Sequence, residues 1–269
     1  MEIIDLLGYF SALAIGLILG LIGGGGSILA VPVLVYLFLL DETLATAYSL
    51  FVVGCSALIG GYQQYLKGHV DVKTAVVFGI PAIFSVTLVR SFLIPNIPDE
   101  LFTLSDFSIT RRMGILGLFA LVMVPAALAM LKTSNSNQLQ THKTPNKQYP
   151  FSIIIFEGMA IGAITGLVGA GGGFLIIPAL VLLTKLDMKK AIGTSLVIVT
   201  LKSLTGFFLG DALNMAINWR FLILFTSIAI VGISIGTRLN SLIDGRKLRK
   251  GFGYFILIMA AFIIYMEFI

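Results

Sequence analysis

Charged residues are scarce in this sequence. Of its 269 residues only 12% are Asp, Glu, Lys or Arg, whereas 58% are hydrophobic. A water-soluble domain of this composition would expose far more apolar surface than such proteins tolerate. Several apolar stretches approach the roughly 20 residues that a bilayer-spanning helix needs. The composition therefore predicts a chain that lies mostly in a membrane, with lipid around it.

Cysteine is scarcer still, and common catalytic motifs are absent. Cys55 is the single cysteine, so no internal disulfide can form, and its apolar neighbours indicate an inert core residue. No zinc-ligand spacing, HExxH, GxSxG or Walker lysine occurs. We therefore expect no catalytic residue, no metal and no cofactor. The basic residues lie mainly in short connections, which favours membrane orientation over nucleic acid binding as their role.

Glycine is abundant, with 29 residues, and much of it lies in a duplicated segment. Residues 20–32, GLIGGGGSILAVP, recur as residues 166–178, GLVGAGGGFLIIP. The same register pairs Asp41 with Asp187 further along the chain. Chance similarity between apolar stretches would not keep glycines, a proline and an aspartate aligned. The chain is therefore predicted to be an internal duplication.

The duplication divides the chain into two transmembrane repeats, 1–132 and 151–269, joined by a polar linker at 133–150. The predicted fold class is an all-α integral membrane protein. Each repeat is expected to contain a glycine-broken helical hairpin followed by three transmembrane helices. The expected spans are 6–22, 27–40, 44–66, 72–94 and 112–131, then 151–168, 173–184, 188–210, 217–239 and 248–268.

Loop charges predict how the chain is oriented, because Lys and Arg concentrate on the cytoplasmic side. The basic connections are 67–73, the linker, 185–190 and 238–250. They share one side only if each glycine break turns the chain back as a hairpin; a single kinked span would separate the linker from 185–190. A hairpin plus three spans reverses the chain's side, so the repeats are predicted to be inverted. Both termini are then expected outside, and the linker in the cytoplasm.

The glycine breaks are predicted to bind an anion. A break at membrane depth leaves backbone NH groups without helical acceptors, and the second arm begins there with the positive end of its dipole. Glycines that serve only packing or a tight turn are the alternative. The substrate is expected where the breaks meet, contacted by backbone NH groups of Gly25, Gly26, Ser27, Gly171, Gly172 and Gly173 and by the hydroxyls of Ser49, Thr194 and Ser195.

Three basic residues near or within spans need separate interpretation. Lys202 is the most isolated charge inside an apolar run, and such a charge commonly faces a pathway. We include it among the substrate-binding residues, with snorkelling towards an interface as the alternative. Arg90 and Arg238 lie near helix ends and are expected to be interface anchors.

At these residues the sequence resembles the TauE/SafE family of sulfite exporters. The matching features are residues 20–32, residues 166–178 and the stretch 187–196 that opens the following helix. The resemblance implies movement of sulfite, sulfonates or related sulfur-containing anions across the bacterial inner membrane. The repeats depart from each other at Tyr48, where the second has Thr194, and at Ser27, where it has Gly173.

The expected function is therefore that of a secondary transporter that exports a small sulfur-containing anion such as sulfite or an organosulfonate. An anion channel of the same fold is the first alternative, and a non-transporting membrane enzyme or scaffold is the second. The expected partners are a small anionic substrate and membrane lipid, with no nucleic acid. No oligomeric state follows from the sequence.

Overall fold

The computed structural model describes residues 3–24, 26–98, 100–104, 107–135, 151–169, 171–182, 184 and 186–268. Gly25 and most of the linker lie outside these ranges. The helices of the first repeat are α1 Ile3–Ile22, α2 Gly26–Pro32, α3 Glu42–Leu66, α4 Val72–Leu88 and α5 Arg111–Asn135. Those of the second are α6 Phe151–Val168, α7 Gly173–Leu182, α8 Met188–Gly206, α9 Trp219–Leu242 and α10 Gly245–Phe268.

The described helices have the length and surface of a multi-pass membrane protein. Six of them, α3, α4, α5, α8, α9 and α10, contain spans long and apolar enough to cross a bilayer. On α4, the large apolar side chains of Ile80, Phe84 and Leu88 are exposed and follow one another at four-residue intervals. Such a stripe suits lipid rather than water. The predicted all-α membrane fold is confirmed.

Polar residues set the starts of several spans. The side chain of Asp41 accepts a hydrogen bond from the Thr43 amide at 3.0 Å, and that of Asp71 accepts from the Thr74 amide at 2.8 Å. Each bond satisfies an amide that has no intrahelical acceptor. The polar residues between apolar runs therefore define where α3 and α4 begin.

Three helices continue as π-helical turns. They are Val33–Leu37 after α2, Val89–Leu93 after α4 and Phe207–Asp211 after α8. A π-helical turn changes the direction of the side chains that follow it and is often found at functional sites. The turns after α4 and α8 contact each other.

The first glycine break forms a hairpin rather than a kinked span. A methyl group at Gly8, early in α1, would overlap the ring of Phe38, which follows the second arm. At Gly26 it would lie 2.6 Å from the Leu19 amide nitrogen. The second arm therefore packs back along α1, as predicted.

The helices pair across the two repeats. α1 packs most extensively on α9, and its repeat equivalent α6 packs most extensively on α4; α3 pairs with α8, and α5 with α10. Every pairing is reproduced when the repeats are exchanged. Neither repeat could bury its helices alone, so the two form one unit.

Glycines bring the paired backbones together. A methyl group at Gly16 on α1 would overlap the Ala229 carbonyl on α9, and one at Gly20 would lie 2.7 Å from the Thr237 amide nitrogen. The contact positions move towards the C-terminus on both helices, so α1 and α9 run in the same direction. Glycine spacing of this kind is typical of close helix packing in lipid, where small residues replace the hydrophobic driving force.

The connection between α4 and α5 contains a short β-hairpin. Strand β1, Glu100–Leu104, pairs antiparallel with β2, Phe107–Thr110, so that Leu104 lies opposite Phe107. The sequence analysis assigned no strand to this connection. The hairpin lies outside the membrane spans and leaves the fold class unchanged.

Three of the basic connections meet at one end of the molecule, called the basic end below. Lys189 Nζ donates to the Ser241 carbonyl at 3.2 Å, and a methyl group at Gly193 would overlap the His69 carbonyl. The opposite, acidic end carries Asp41, the turn at Ile94–Asn96 and Asp211. The inverted orientation of the two repeats in the membrane stays a prediction, and so does the side of the membrane on which each end lies.

We expect Gly16→Ala to destabilise the protein, because the added methyl group has no space against α9. Overpacking of this kind costs about 1–3 kcal/mol, which should appear as a lower melting temperature in detergent. Gly251→Ala on α10 is the control, since no atom lies within 4 Å of its added methyl group. Equal melting temperatures for the two variants would contradict the close α1–α9 packing.

Candidate functional site

Both glycine breaks use backbone conformations that favour glycine. In the first, Gly23 has a φ of 77° and α2 begins at Gly26. In the second, Gly169, Gly171 and Gly172 have φ values of 70°, 60° and 65°. Other residues rarely adopt these angles. Gly25, which was predicted to contact the substrate in the first break, lies outside the described residues.

The two breaks touch each other through their backbones. A methyl group at Gly173 would lie 2.5 Å from the Gly24 Cα, and one at Gly24 would overlap the Gly173 carbonyl group. No side chain fits between them. Because α7 begins at Gly173, the amides of Gly173 and Phe174 have no intrahelical acceptor at this contact between the repeats, whereas those of Leu175 and Ile176 donate to the Gly172 carbonyl.

The hydroxyls of Ser195, a predicted substrate contact, and of Ser27 hold the first break in place. Ser27 was predicted to contact the substrate through its backbone NH, which instead donates to the Gly24 carbonyl at 3.3 Å. Ser27 Oγ donates to the Gly24 carbonyl at 2.5 Å. Ser195 Oγ lies 2.8 Å from the Ile192 carbonyl and 3.2 Å from that of Gly23. Both hydroxyl protons are therefore engaged by backbone oxygens, and either serine would have to rotate before it could donate to a ligand.

The other two predicted hydroxyls differ from these. Ser49 Oγ is buried and has no hydrogen-bond partner among the described residues, so its proton is available. Thr194 Oγ1 accepts from the Asp71 amide at 2.9 Å and so anchors the connection before α4. The structure thus places Thr194 at a connection of the basic end.

Lys202 lies at the second break and does not snorkel. Its side chain is fully buried, and Nζ donates to Thr165 Oγ1 at 2.6 Å. A methyl group at Gly172 would lie 2.6 Å from Nζ. An ammonium group has three donors, and Thr165 is the one partner of Nζ within the described part of the chain.

Sequence reasoning missed two residues beside Lys202. Thr165 faces the ammonium group, and a methyl group at Gly171 would lie 3.4 Å from Ser203 Oγ. The Ser203 hydroxyl is buried and has no partner among the described residues. Its position eight residues after Ser195 could have indicated it, because eight residues are close to two helical turns.

The expectation that Arg90 is an interface anchor is wrong. Arg90 has no exposed surface, and its Nη1 lies 3.2 Å from both carboxylate oxygens of Asp211 and 3.2 Å from Thr46 Oγ1. Its partners come from the other repeat and from α3, so no local pattern identifies them. Arg238, by contrast, is exposed.

A cavity of about 500 Å³ opens at the acidic end. Arg90, Asp211 and Arg111 are among its lining residues. Arg111 Nε bonds Glu42 at 2.9 Å. The two described ion pairs of the protein therefore both border this cavity.

Neutral amides occupy the corresponding region of the basic end. Gln64 Nε2 donates to Asn240 Oδ1 at 3.3 Å, and Asn240 Nδ2 donates to the Leu21 carbonyl, just before the first break, at 2.6 Å. His69 Nδ1 lies 3.0 Å from Gln64 Oε1. Burial, with a further contribution from neighbouring lysines, lowers the pKa of His69 below its ordinary value. His69 is therefore favoured in its neutral form.

Sequence comparison identifies the family. A family model described as "Sulfite exporter TauE/SafE" matches residues 9–263, nearly the whole chain. The chain belongs to the TauE/SafE family. This is a family of membrane transporters rather than enzymes.

Proteins similar to this TauE/SafE protein are also named as membrane transporters. A "Probable membrane transporter protein" of Xylella fastidiosa is 30% identical over 93% of this chain and 91% of its own length. The "Probable membrane transporter protein YunE" of Bacillus subtilis is 26% identical over 84% of this chain and 86% of its own length. No solved structure matches. These names describe probable membrane transporters and specify no substrate.

We expect Gly172→Ala to destabilise this TauE/SafE protein more than Gly68→Ala. Both glycines have positive φ, 65° and 72°, so both substitutions carry the cost of that conformation, about 1–2 kcal/mol. Only at Gly172 would the methyl group also overlap Thr165, whereas no atom lies within 4 Å at Gly68. Thermal unfolding should show a larger fall in melting temperature for Gly172→Ala. If Gly68→Ala lowers the melting temperature equally, the positive φ alone explains the effect.

Proposed function

We propose that this protein is a secondary transporter that exports a small sulfur-containing oxyanion, such as sulfite or an organosulfonate, across the bacterial inner membrane. The observation that carries the proposal is the environment of Lys202. Its ammonium group is buried beside the second glycine break, and the described ion pairs, Arg90–Asp211 and Arg111–Glu42, do not include it. A buried charge without a counterion is costly. A bound anion would provide that counterion.

Hydrogen-bond donors around the break match an ionised oxyanion, which has several acceptor oxygens and no proton to give. The first amides of α7 and the free N–H groups of Lys202 supply donors at Gly172 and Gly173. The helices α3 and α8, whose Val53 and Ser203 lie near Gly171, also carry buried hydroxyls without partners among the described residues: Ser49, Ser56 and Ser203. A cation would find few acceptors and an unfavourable charge here.

The contact between Gly24 and Gly173 suits a transporter that exposes its site to each side in turn. Each break belongs to a different repeat, and the backbones touch without interlocking side chains. Inverted repeats that move against each other around a fixed site are a common transport mechanism. A sliding backbone contact permits such movement, whereas interlocked side chains would resist it.

Counterflow in proteoliposomes tests transport against channel activity. Vesicles loaded with millimolar unlabelled sulfite, kept anaerobic, should transiently accumulate labelled sulfite from the outside by exchange. A channel would instead equilibrate the label and carry a steady current. Uptake of a cation with no competition from sulfite or methanesulfonate would refute the proposal altogether.

We expect Lys202→Met to weaken sulfite binding and uptake by roughly tenfold to a hundredfold. The loss of a charged hydrogen bond costs about 1.5–3 kcal/mol, which corresponds to such a change. Lys190→Met is the matched control, because Lys190 lies on the same helix but is exposed. Counterflow rates across a sulfite titration give the comparison. Equal losses in both variants would indicate a general effect of net charge.

The orientation predicted from the loop charges is tested by labelling in the Cys55→Ala background. We expect Leu213→Cys, at an exposed position of the acidic end, to react in intact cells with an impermeant maleimide. Asn137→Cys in the linker should react only after the cells are broken. The reverse pattern would invert the proposed orientation of the termini and the linker.

A further inference from the structure

The Arg90–Asp211 pair joins the two repeats at two π-helical turns. Arg90 belongs to the turn Val89–Leu93 and Asp211 to the turn Phe207–Asp211. The turns approach closely, since a methyl group at Gly210 would lie 2.5 Å from Arg90 Cβ. Both charged side chains are almost fully buried. Two π-helical turns that present one buried ion pair are an unusual local arrangement, and such turns are frequent at functional sites.

Within the described part of the chain, one nitrogen of the Arg90 guanidinium group has hydrogen-bond partners. Asp211 and Thr46 both bind Nη1, whereas Nε and Nη2 are buried and have no hydrogen-bond partner among the described residues. Unsatisfied buried donors of a charged group are costly. Nε and Nη2 form one edge of the guanidinium plane, and such an edge binds two oxygens of a single oxyanion.

Arg90 lies between the cavity and the second glycine break. Arg90 lines the cavity at the acidic end. A methyl group at Gly169, a residue with positive φ, would lie 2.5 Å from Arg90 Nη2, so the guanidinium group packs directly against the backbone of this break. Lys202 Nζ lies beside Gly172, at the other end of the same break. Two buried cations therefore flank residues 169–172.

We propose that Arg90 is a second oxyanion-binding residue, which holds the cargo through Nε and Nη2 between the acidic-end cavity and the second break, and that Asp211 competes with the cargo for the guanidinium group. The proposal rests on the proposed function for the charge of the cargo. The ligand class is an oxyanion with two oxygens on one atom, such as a sulfonate. Chloride, a single-atom anion, can accept from both nitrogens only through bent hydrogen bonds, whereas two oxygens on one atom match the edge with two nearly linear ones.

This competition predicts the direction in which the affinity for an oxyanion should change. In Asp211→Asn the charge of Arg90 loses its counterion, so methanesulfonate should bind at least roughly tenfold tighter than to the unaltered protein. Binding is measured as the methanesulfonate-dependent rise in melting temperature of purified protein, with chloride at equal ionic strength as the reference. An ion pair that serves only stability would instead give a less stable variant with no gain in affinity.

Combined variants separate this site from the one at Lys202. The gain should persist in Asp211→Asn with Lys202→Met, and it should disappear when Arg90→Lys is added, because lysine keeps the charge but has no second nitrogen. Arg238→Lys, an exposed arginine in the other repeat, should leave the gain unchanged. A missing gain, or a gain that survives Arg90→Lys, overturns the proposal. Counterflow of sulfite is measured separately, so neither result decides the proposed function.

A second comparison applies if Asp211→Asn does not yield folded protein. Arg90→Lys with Lys202→Met keeps the pairing charge for Asp211 and is compared with Lys202→Met alone. Residual methanesulfonate binding should fall roughly tenfold when Arg90 is changed. Unchanged binding would overturn the second site.

Discussion

The backbone contact between Gly24 and Gly173 is the constraint on which the rest of the structure depends. It requires that neither break carry a side chain at the meeting point, and that each arm turn back within the protein. Non-helical backbone is tolerated at membrane depth only where protein or a cavity surrounds it. The flanking helices therefore have to pack closely, and glycines on α1 against α9 make this possible. The polar side chains then occupy the remaining positions around the breaks.

The predicted duplication accounts for the matched helix pairings, but the two repeats carry different side chains at their glycine breaks. Gly172 faces Thr165 and Lys202, whereas its equivalent Gly26 packs on Ile15 and Leu19. The register of the duplication makes Leu19 the equivalent of Thr165, and Ser56 the equivalent of Lys202. The first break is thus enclosed by apolar and hydroxyl groups, and the second by an ammonium group. Symmetric packing therefore coexists with an asymmetric charge distribution.

Patterns within one repeat were predictable because they are local. The apolar runs predicted the spans, the polar residues between them predicted where α3 and α4 begin, and the loop charges favoured the hairpin that Gly8 and Phe38 now show. Lys202 stood out as the isolated charge in its run. Its burial against Thr165 was not predictable, since a lysine stem can equally reach an interface.

Contacts between distant segments could not be read from the sequence. Arg90 and Asp211 each lie near the end of a span, where an interface anchor is the usual role, and only the folded structure shows that two π-helical turns bring them together. The same holds for Thr194, whose hydroxyl accepts from Asp71 in a distant connection. Which side chains meet across the repeats depends on how each helix is rotated about its own axis. The repeat pattern does not determine that rotation.

The charges inside the protein form an ordered series from the acidic end inwards. Arg111, partly exposed at the cavity, is paired with Glu42, fully buried Arg90 is paired with buried Asp211, and Lys202 beyond Gly172 has no described carboxylate partner. An anion moving inwards would meet progressively less compensated positive charge in a progressively less polar environment, where Coulomb interactions strengthen. Binding that only strengthened would trap the cargo. In the proposed export mechanism, Asp211 would compete with the anion for the Arg90 guanidinium group where the anion leaves. The neutral amides of Gln64 and Asn240 near the first break would add no further positive charge.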